Sequence, residues 1–183
     1  MKILNYGMTR IMIFIDGSNI YWGQSNFSKL CKEKFRIDFQ KLIEVISSNR
    51  ELVRTVYYCS MPVKPREAQI KFNDYLRKLG IQVVEKKLRE RTNEITNVSS
   101  STEKGVDVAL ATDLLGYAWE NAYDVAILVS GDEDYIGAVQ KVMSKGKNVE
   151  VVSFKGSTSK ELSKNCTKTT YIDDVAGTVK LHK

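Results

Sequence analysis

The sequence has few of the residues that build disulfide scaffolds or zinc sites. Cys31, Cys59 and Cys166 are spread along the chain, and the single histidine is His182. Without a C-x-x-C pair or a second histidine, we expect no thiolate-type zinc site. Three scattered cysteines are typical of a reducing compartment, so we expect a cytoplasmic protein.

Long apolar runs and prolines are also scarce. No apolar stretch approaches the roughly 18–20 residues that a membrane-spanning helix requires, so no membrane partner is expected. Residues 1–10 lack the apolar core of an export signal. The two prolines, Pro62 and Pro65, form no linker, and 43% of the 183 residues are hydrophobic. We therefore expect one domain over residues 1–183, with its core at about 10–175.

The net charge of +6 is unevenly distributed. Residues 61–91 hold nine Lys/Arg and four Asp/Glu, and residues 141–168 hold seven and two. Residues 92–140 between them hold nine acids and one base, Lys104. Each basic segment is either a solvated face or a surface for a polyanion. An acidic middle between basic flanks suggests that the flanks hold the polyanion while the acids do something else.

Apolar runs that suit strands alternate with segments of helical periodicity. We predict strands at residues 11–15, 52–59, 81–84, 125–129 and 149–154, with a short edge at 171–172. We predict helices at residues 65–79, 103–119 and 135–144, and another that begins at an Asp38 N-cap. The polar stretch 92–104 reads as a mobile loop. This alternation predicts a three-layer α/β fold with a mostly parallel sheet of five or six strands.

Two of the predicted strands run directly into acids. Asp16 follows the first strand, and Asp132 and Asp134 follow the fourth. Parallel sheets carry their sites at the carboxyl ends of strands, so we expect these side chains to lie at one edge. Aspartate also favours turns and helix N-caps, which leaves a purely structural reading open for each of them.

A third acid lies on the predicted helix 103–119. Asp107 shares a helical face with Leu110 and Leu114, so we expect it to point toward the sheet, where a carboxylate needs compensation. Lys104 could pair with it. A metal shared with Asp16 and Asp132 is the alternative that we favour. Asp113 lies roughly on the opposite face, so we expect it at the surface or behind the site.

The side chains near these acids select the chemistry. Carboxylate oxygens without His or Cys favour Mg²⁺ or Mn²⁺. Such an ion activates water and neutralises charge on a transferring phosphoryl group. No histidine is placed to assist a Ser or Cys nucleophile. Asn19 and Ser130 could orient a water molecule or a phosphate oxygen, or could simply stabilise turns.

Three segments together resemble the NYN domain family of PIN-like nucleases, in its stand-alone bacterial and archaeal form. They are residues 14–20 (FIDGSNI), residues 104–107 (KGVD) with Leu110 and Asp113, and residues 130–135 (SGDEDY). The resemblance implies a Rossmann-like PIN fold, a Mg²⁺ or Mn²⁺ cofactor and cleavage of RNA. Glu133 and Tyr135 depart from the family, in which Ser and Phe are common at these positions.

The resemblance also implies roles for single residues. Catalytic metal ligands would be Asp16, Asp107, Asp132 and Asp134. Asn19 and Ser130 would be their polar helpers at the catalytic site, and Lys104 and Asp113 match the family's helix motif.

Three functions are compatible with these residues. The first is a metal-dependent endoribonuclease that hydrolyses phosphodiester bonds of RNA, with single-stranded RNA as the expected substrate. The second is a non-catalytic, regulatory RNA-binding module on the same fold. The third is a phosphatase or small-nucleotide enzyme, which is disfavoured because no second aspartate follows Asp16 at two residues and no P-loop motif occurs. A homodimer is compatible with the sequence but not indicated by it.

Nucleic acid must be held by groups outside the acidic centre. The first choice is the segment that leaves the third strand at the carboxyl edge of the sheet, which holds Lys86, Lys87, Arg89 and Arg91. Lys104 is a further candidate for binding nucleic acid. Two other groups are alternatives: the later lysines Lys155, Lys160 and Lys164, and the basic residues around the predicted helix 65–79, which are Lys64, Arg66, Lys71, Arg77 and Lys78. Trp22, Tyr57 and Tyr58 are candidates for base stacking, although at least one of the tyrosines is expected in the core.

Overall fold

The computed structural model describes residues 8–92, 99–102 and 105–182. Its described strands are β1 (Arg10–Asp16), β2 (Glu51–Met61), β3 (Gln82–Lys87), β4 (Arg89–Thr92), β5 (Ser99–Thr102), β6 (Val125–Val129), β7 (Asn148–Ser153) and β8 (Lys168–Tyr171). Its described helices are α1 (Gly17–Leu30), α2 (Phe39–Ser47), α3 (Glu67–Lys78), α4 (Val106–Trp119), α5 (Ile136–Ser144), α6 (Lys160–Lys164) and α7 (Ala176–Val179). Short 3₁₀ turns lie at Glu133–Tyr135, Lys155–Ser157 and Ile172–Val175.

Six strands form one parallel sheet in the order β3-β2-β1-β6-β7-β8. The chain builds outward from β1 through β2 to β3, then returns to the other side of β1 and builds outward again from β6. The strand order therefore reverses between β1 and β6, which is the position where open α/β sheets form a ligand crevice. The predicted α/β class with a parallel sheet is confirmed.

The sheet is covered on both faces, which explains the continuous apolar run in β1. Ile11, Ile13 and Ile15 pack into one core cluster. Met12 and Phe14, which point to the opposite face, pack into another. Strands buried on both sides carry apolar residues at every position. No helix among the described residues has the length and apolar composition needed to cross a bilayer.

Caps and glycines delimit the helices as the sequence predicts. The Asp38 side chain accepts a hydrogen bond from the backbone N–H of Lys41 at 3.2 Å and starts α2. Gly80 and Gly146 follow α3 and α5 with φ of 79° and 81°, a conformation that glycine adopts without strain.

Several elements differ from the expectation. The helices α6 and α7 had no prediction, and the edge strand expected at 171–172 is β8, at Lys168–Tyr171. Part of the predicted loop 92–104 belongs to an antiparallel ribbon, in which β4 pairs with β5. Its serines and threonines offer no apolar alternation, so the pattern gave no strand signal. The helix α1 had no prediction either. Its buried residues are Gly17, Ile20 and Gly23, and a face built largely from glycine leaves no apolar stripe to detect.

Glycine lets α1 lie very close to its neighbours. A Cβ at Gly23 would stand 2.5 Å from Cδ2 of Phe154. Phe154 is buried and packs against the rings of Phe27 and Phe35, which restrict its movement. Gly116, inside α4, meets nothing within 4 Å of such a Cβ.

Two glycine-to-alanine variants are therefore expected to change stability in opposite directions. Gly23→Ala should lower the free energy of unfolding by about 1–3 kcal/mol, because it overpacks a rigid contact. Gly116→Ala should raise the free energy of unfolding by about 0.5–1 kcal/mol, because alanine has a higher helix propensity than glycine at an exposed position. Urea unfolding measures both. Equal effects of the two substitutions would contradict close packing of α1.

Candidate active site

The acids of the site lie at the reversal of strand order. Asp16 is the last residue of β1, and Ser130 directly follows β6. Asp132 and Asp134 stand in the turn after Ser130, and Asp107 lies in the first turn of α4. Two parallel neighbouring strands thus deliver acids to the same edge of the sheet, as their sequence positions require.

Asp16 is only 2% exposed, and its carboxylate accepts hydrogen bonds from several directions. Oδ1 accepts from the backbone N–H groups of Ser18 and Asn19 at 3.1 and 3.0 Å, and from the Ser18 hydroxyl at 3.2 Å. Oδ2 accepts from the hydroxyls of Ser130 and Tyr135 at 3.1 and 3.3 Å. Asp16 is therefore the N-cap of α1, as the structural reading proposed, and also the buried centre of the site.

Tyr135 connects two of the acids. Its hydroxyl lies 3.3 Å from Oδ2 of Asp16 and 3.2 Å from Oδ1 of Asp107. Burial and the charges of the two carboxylates raise the pKa of the Tyr135 phenol, which keeps it protonated at neutral pH. A phenol carries one proton, so it donates to one carboxylate at a time.

Asp107 is more exposed than its helical position predicts, but one oxygen still faces the site. Partial burial of its carboxyl group is the largest cause that raises its pKa, followed by the charge of Asp16. The hydrogen bond from Tyr135 acts in the opposite direction, and the charges of Asp132 and Asp134 raise the pKa further. The charges of the other three acids therefore all disfavour the ionised form of Asp107.

Asp132 and Asp134 form the outer part of the site. The Asp132 side chain accepts a hydrogen bond from the N–H of Asp134 at 3.0 Å, so it caps the 3₁₀ turn. The N–H of Asp132 donates to the Ser130 hydroxyl at 3.3 Å, which itself donates to Asp16. Ser130 thus couples the inner acid to the outer one. Asp134 is exposed to solvent.

Asn19 fixes the two acidic segments to each other. Its Oδ1 accepts a hydrogen bond from the N–H of Gly131 at 3.0 Å, which joins α1 to the loop after β6. Gly131 has no room for a side chain, since a Cβ would stand 2.0 Å from the carbonyl oxygen of Ser157. The N–H of Ser159 donates to the Gly131 carbonyl at 2.8 Å. The loop after β7 is therefore held against the site.

Other residues singled out in the sequence lie outside this group. The hydroxyl of buried Tyr58 donates to Asp113 at 2.8 Å, which makes Asp113 the partner of a core tyrosine. Tyr57 is also buried, which leaves Trp22, at 61% exposure, as the accessible stacking candidate.

The basic candidates reach the edge of the sheet but not its centre. Lys86 and Lys87 are exposed at the end of β3, with β2 between them and β1. Arg89 and Arg91 lie in β4. Lys104, and with it the suggested pair with Asp107, lies outside the described residues.

The carboxylates of the site suit a hard divalent cation that takes few of its ligands from the protein. Within residues 8–92, 99–102 and 105–182, no three His, Cys, Asp or Glu side chains are close enough to hold one ion together. Asp16 and Asp107, however, face the same hydroxyl, which has one proton for two negative groups. Mg²⁺ is commonly bound through one or two carboxylates and several waters, so this pair is a suitable partner for it.

The comparisons with known proteins agree with this architecture. A family model described as the NYN domain matches residues 10–173. The low amplitude and bright protein LabA of Synechococcus elongatus is 28% identical over 165 residues, which cover 90% of this chain and 83% of that protein. A protein of unknown function from Vibrio parahaemolyticus has a similar structure, with a TM-score of 0.76 and 23% identity over 99% of this chain and 100% of the other. That second likeness shows the fold.

Repulsion among the acids leads to a pH-dependent prediction for Asp107→Asn. The folded chain raises the pKa of Asp107, so it binds more protons than the unfolded chain, and wild-type stability falls as pH rises from about 3.8 through the raised pKa. The uncharged variant escapes this loss. With EDTA present, it should be at least as stable as wild type at pH 7, and its advantage should shrink as the pH is lowered toward 4.

Asp113→Ala, on the same helix, is the matched control. It leaves the buried Tyr58 hydroxyl without its acceptor, so we expect a loss of about 1–3 kcal/mol. Urea unfolding at several pH values measures both variants. A penalty for Asp107→Asn at pH 7 that disappears at low pH would show that the Asp107 carboxylate is stabilised rather than repelled.

Proposed function

The chain belongs to the NYN domain family, and from this membership and the geometry of the acids we propose that it is a divalent-metal-dependent nuclease acting on single-stranded RNA. The observation that carries the proposal is the contact of Asp16 and Asp107 with one shared hydroxyl at the reversal of strand order. Among the described residues, no Lys or Arg pairs with either acid. Carboxylates that lie together at a partly buried site without a positively charged partner are typical of function rather than of stability.

Each acid has a distinct place in this proposal. Asp16 and Asp107 would hold Mg²⁺ or Mn²⁺, and Asp132 and Asp134 would add negative charge on the solvent side of the site rather than serve as a third ligand. When bound, the cation activates water and neutralises charge on the phosphoryl group that is transferred. Ser130 and Asn19 keep the acidic segments in register, because each bridges the end of β1 or the start of α1 to the loop after β6.

A non-catalytic RNA-binding module is the second candidate. The observation that favours it is the set of five protein hydrogen-bond donors on Asp16, which satisfies this buried carboxylate without a metal. The two candidates differ in their need for the outer acid. A binding module tolerates an uncharged residue at position 132, whereas a nuclease loses most of its turnover.

The first test of the proposal is Asp132→Asn. The amide oxygen of Asn can still accept the hydrogen bond from the N–H of Asp134, so the turn should survive. The charge offered to a cation is lost. We expect Mg²⁺- or Mn²⁺-dependent cleavage of a single-stranded RNA to fall by orders of magnitude, with an unchanged unfolding midpoint, and EDTA to abolish the wild-type activity.

Glu133→Gln provides the matched control. Glu133 is the exposed neighbour of Asp132, and its carboxylate accepts a hydrogen bond from Ser159 at 3.2 Å, away from Asp16. We expect nearly wild-type cleavage. If purified wild-type protein cleaves no single-stranded RNA or DNA with either metal, the binding module is the better assignment. Cleavage that resists EDTA would contradict the metal requirement.

The preference for single strands rests on an exposed aromatic pair in α1. Tyr21 and Trp22 are each 61% exposed, and their rings meet edge to face at 5.2 Å. They follow Ser18 by three and four residues, so they lie on its side of α1, and helical side chains lean toward the N-terminal turn. An unpaired base stacked on Trp22 would therefore lie toward the start of α1, where Asp16 is. A base within a duplex cannot reach it.

The two tryptophans of the chain allow this arrangement to be measured. A Trp119→Phe variant reports Trp22 alone, and a Trp22→Phe variant reports Trp119 at the far end of α4. With metal chelated, single-stranded RNA should quench the fluorescence of Trp22 and leave Trp119 unchanged. Duplex RNA should quench Trp22 weakly. Equal quenching by both forms, or quenching of Trp119 only, would place the strand elsewhere.

The basic residues supply the remaining affinity in this proposal. Lys86 and Lys87 are exposed and lie at the same edge of the sheet as the acids, two strands away from β1. At that separation they contact phosphates that flank the cleavage point, rather than the phosphate that is cut. Arg89 and Arg91 continue the same segment. Their contribution would depend strongly on salt, because phosphate contacts release counterions.

A further inference from the structure

The hydrogen bonds that the Asp16 carboxylate accepts leave it no free lone pair for a cation. A carboxylate offers about four lone-pair positions in all. Three donors meet Oδ1, and two donors meet Oδ2. A metal that binds Asp16 directly must therefore displace a donor. Two of the donors on Oδ1 are backbone N–H groups that the first turn of α1 holds in place. Both donors on Oδ2 are side-chain hydroxyls, those of Ser130 and Tyr135, so the exchange falls on Oδ2.

The two donors on Oδ2 differ in what else they do. The Ser130 hydroxyl also accepts the N–H of Asp132, so it belongs to the turn that carries the outer acid. The Tyr135 hydroxyl makes its contacts to the two acids that face each other, Asp16 and Asp107. Its ring is 1% exposed and belongs to the core cluster beneath the site, so it cannot swing away without opening that core.

We propose that Tyr135 is a positioning residue that competes with the metal: its hydroxyl occupies the space between Asp16 and Asp107 and so raises the cation concentration at which the site fills. This inference rests on the proposed metal-dependent function. The hydroxyl supplies a proton where an ion would supply charge, and it keeps the two acids in place while the ion is absent. The affinity of the site for its metal is therefore lower than the two carboxylates alone would give.

The substitution Tyr135→Phe isolates the hydroxyl. Phenylalanine keeps the ring in the core, frees a lone pair on Asp16 and leaves the two carboxylates without a proton between them. Both effects favour a cation. We expect the dissociation constant for Mn²⁺, measured by electron paramagnetic resonance, to fall on the order of tenfold, which is the effect of one hydrogen bond to a charged group. The rise in melting temperature that saturating Mn²⁺ produces should also be larger than in wild type.

Tyr58→Phe is the matched control. Tyr58 is also fully buried, and its hydroxyl also donates to an aspartate, but that partner is Asp113 rather than an acid of the site. It should lose stability and keep the wild-type dissociation constant for Mn²⁺. This comparison separates competition with the metal from the general cost of removing a buried hydroxyl.

A second variant covers the case in which Tyr135→Phe does not fold. Ser130→Ala removes the other hydroxyl from the same oxygen of Asp16 and should also tighten Mn²⁺ binding. Tyr135→Phe that binds Mn²⁺ with wild-type or weaker affinity overturns the inference and leaves the proposed function standing. Absence of Mn²⁺ binding in wild type and in both variants overturns the proposed function as well.

Discussion

A buried carboxylate must be surrounded by donors, and Asp16 imposes that requirement on three parts of the chain. The start of α1 supplies backbone N–H groups, the residue after β6 supplies a hydroxyl, and the 3₁₀ turn supplies the phenol of Tyr135. Loss of any one leaves a charge poorly solvated, which is costly in an apolar setting. The position of the acid at the end of β1 therefore fixes how α1, β6 and the turn meet. The same hydrogen bonds therefore hold the candidate site and the centre of the fold together.

Much of the fold could be predicted because strands that are buried on both faces of the sheet appear in the sequence as continuous apolar runs. The strand β6 matches residues 125–129 at both ends, and β1 extends the predicted run by one residue on each side. Prediction failed where packing relies on the absence of side chains. The glycines of α1 carry no hydrophobic signal, although they allow its close approach to Phe154. The ribbon β4–β5 is held by backbone pairing between polar residues, which composition does not reveal.

The candidate site was predictable in its acids and not in what joins them. Asp16 and Asp132 could be placed at one edge because they follow adjacent parallel strands. The role of Tyr135 could not be foreseen, since a phenol after an acidic turn is as compatible with core packing as with a hydrogen bond. Its departure from the phenylalanine common in the family was the available signal. Asp107 also shows the limit of helical periodicity, because the first turn of α4 exposes a position that the pattern placed inside.

The reversal of strand order has a consequence for when the site exists. Asp16 and Tyr135 are 119 residues apart in the chain, and they meet only after β1 and β6 have paired. Neither the first half of the polypeptide nor the second carries the assembled acids alone. In a chain growing on the ribosome, Asp16 would therefore lack its partners Ser130 and Tyr135 until β6 and the turn after it had emerged. Local fraying at the sheet edges, by contrast, would leave the acids assembled. Contact between Asp16 and Tyr135 would therefore report the pairing of the two central strands, and with it the completion of folding.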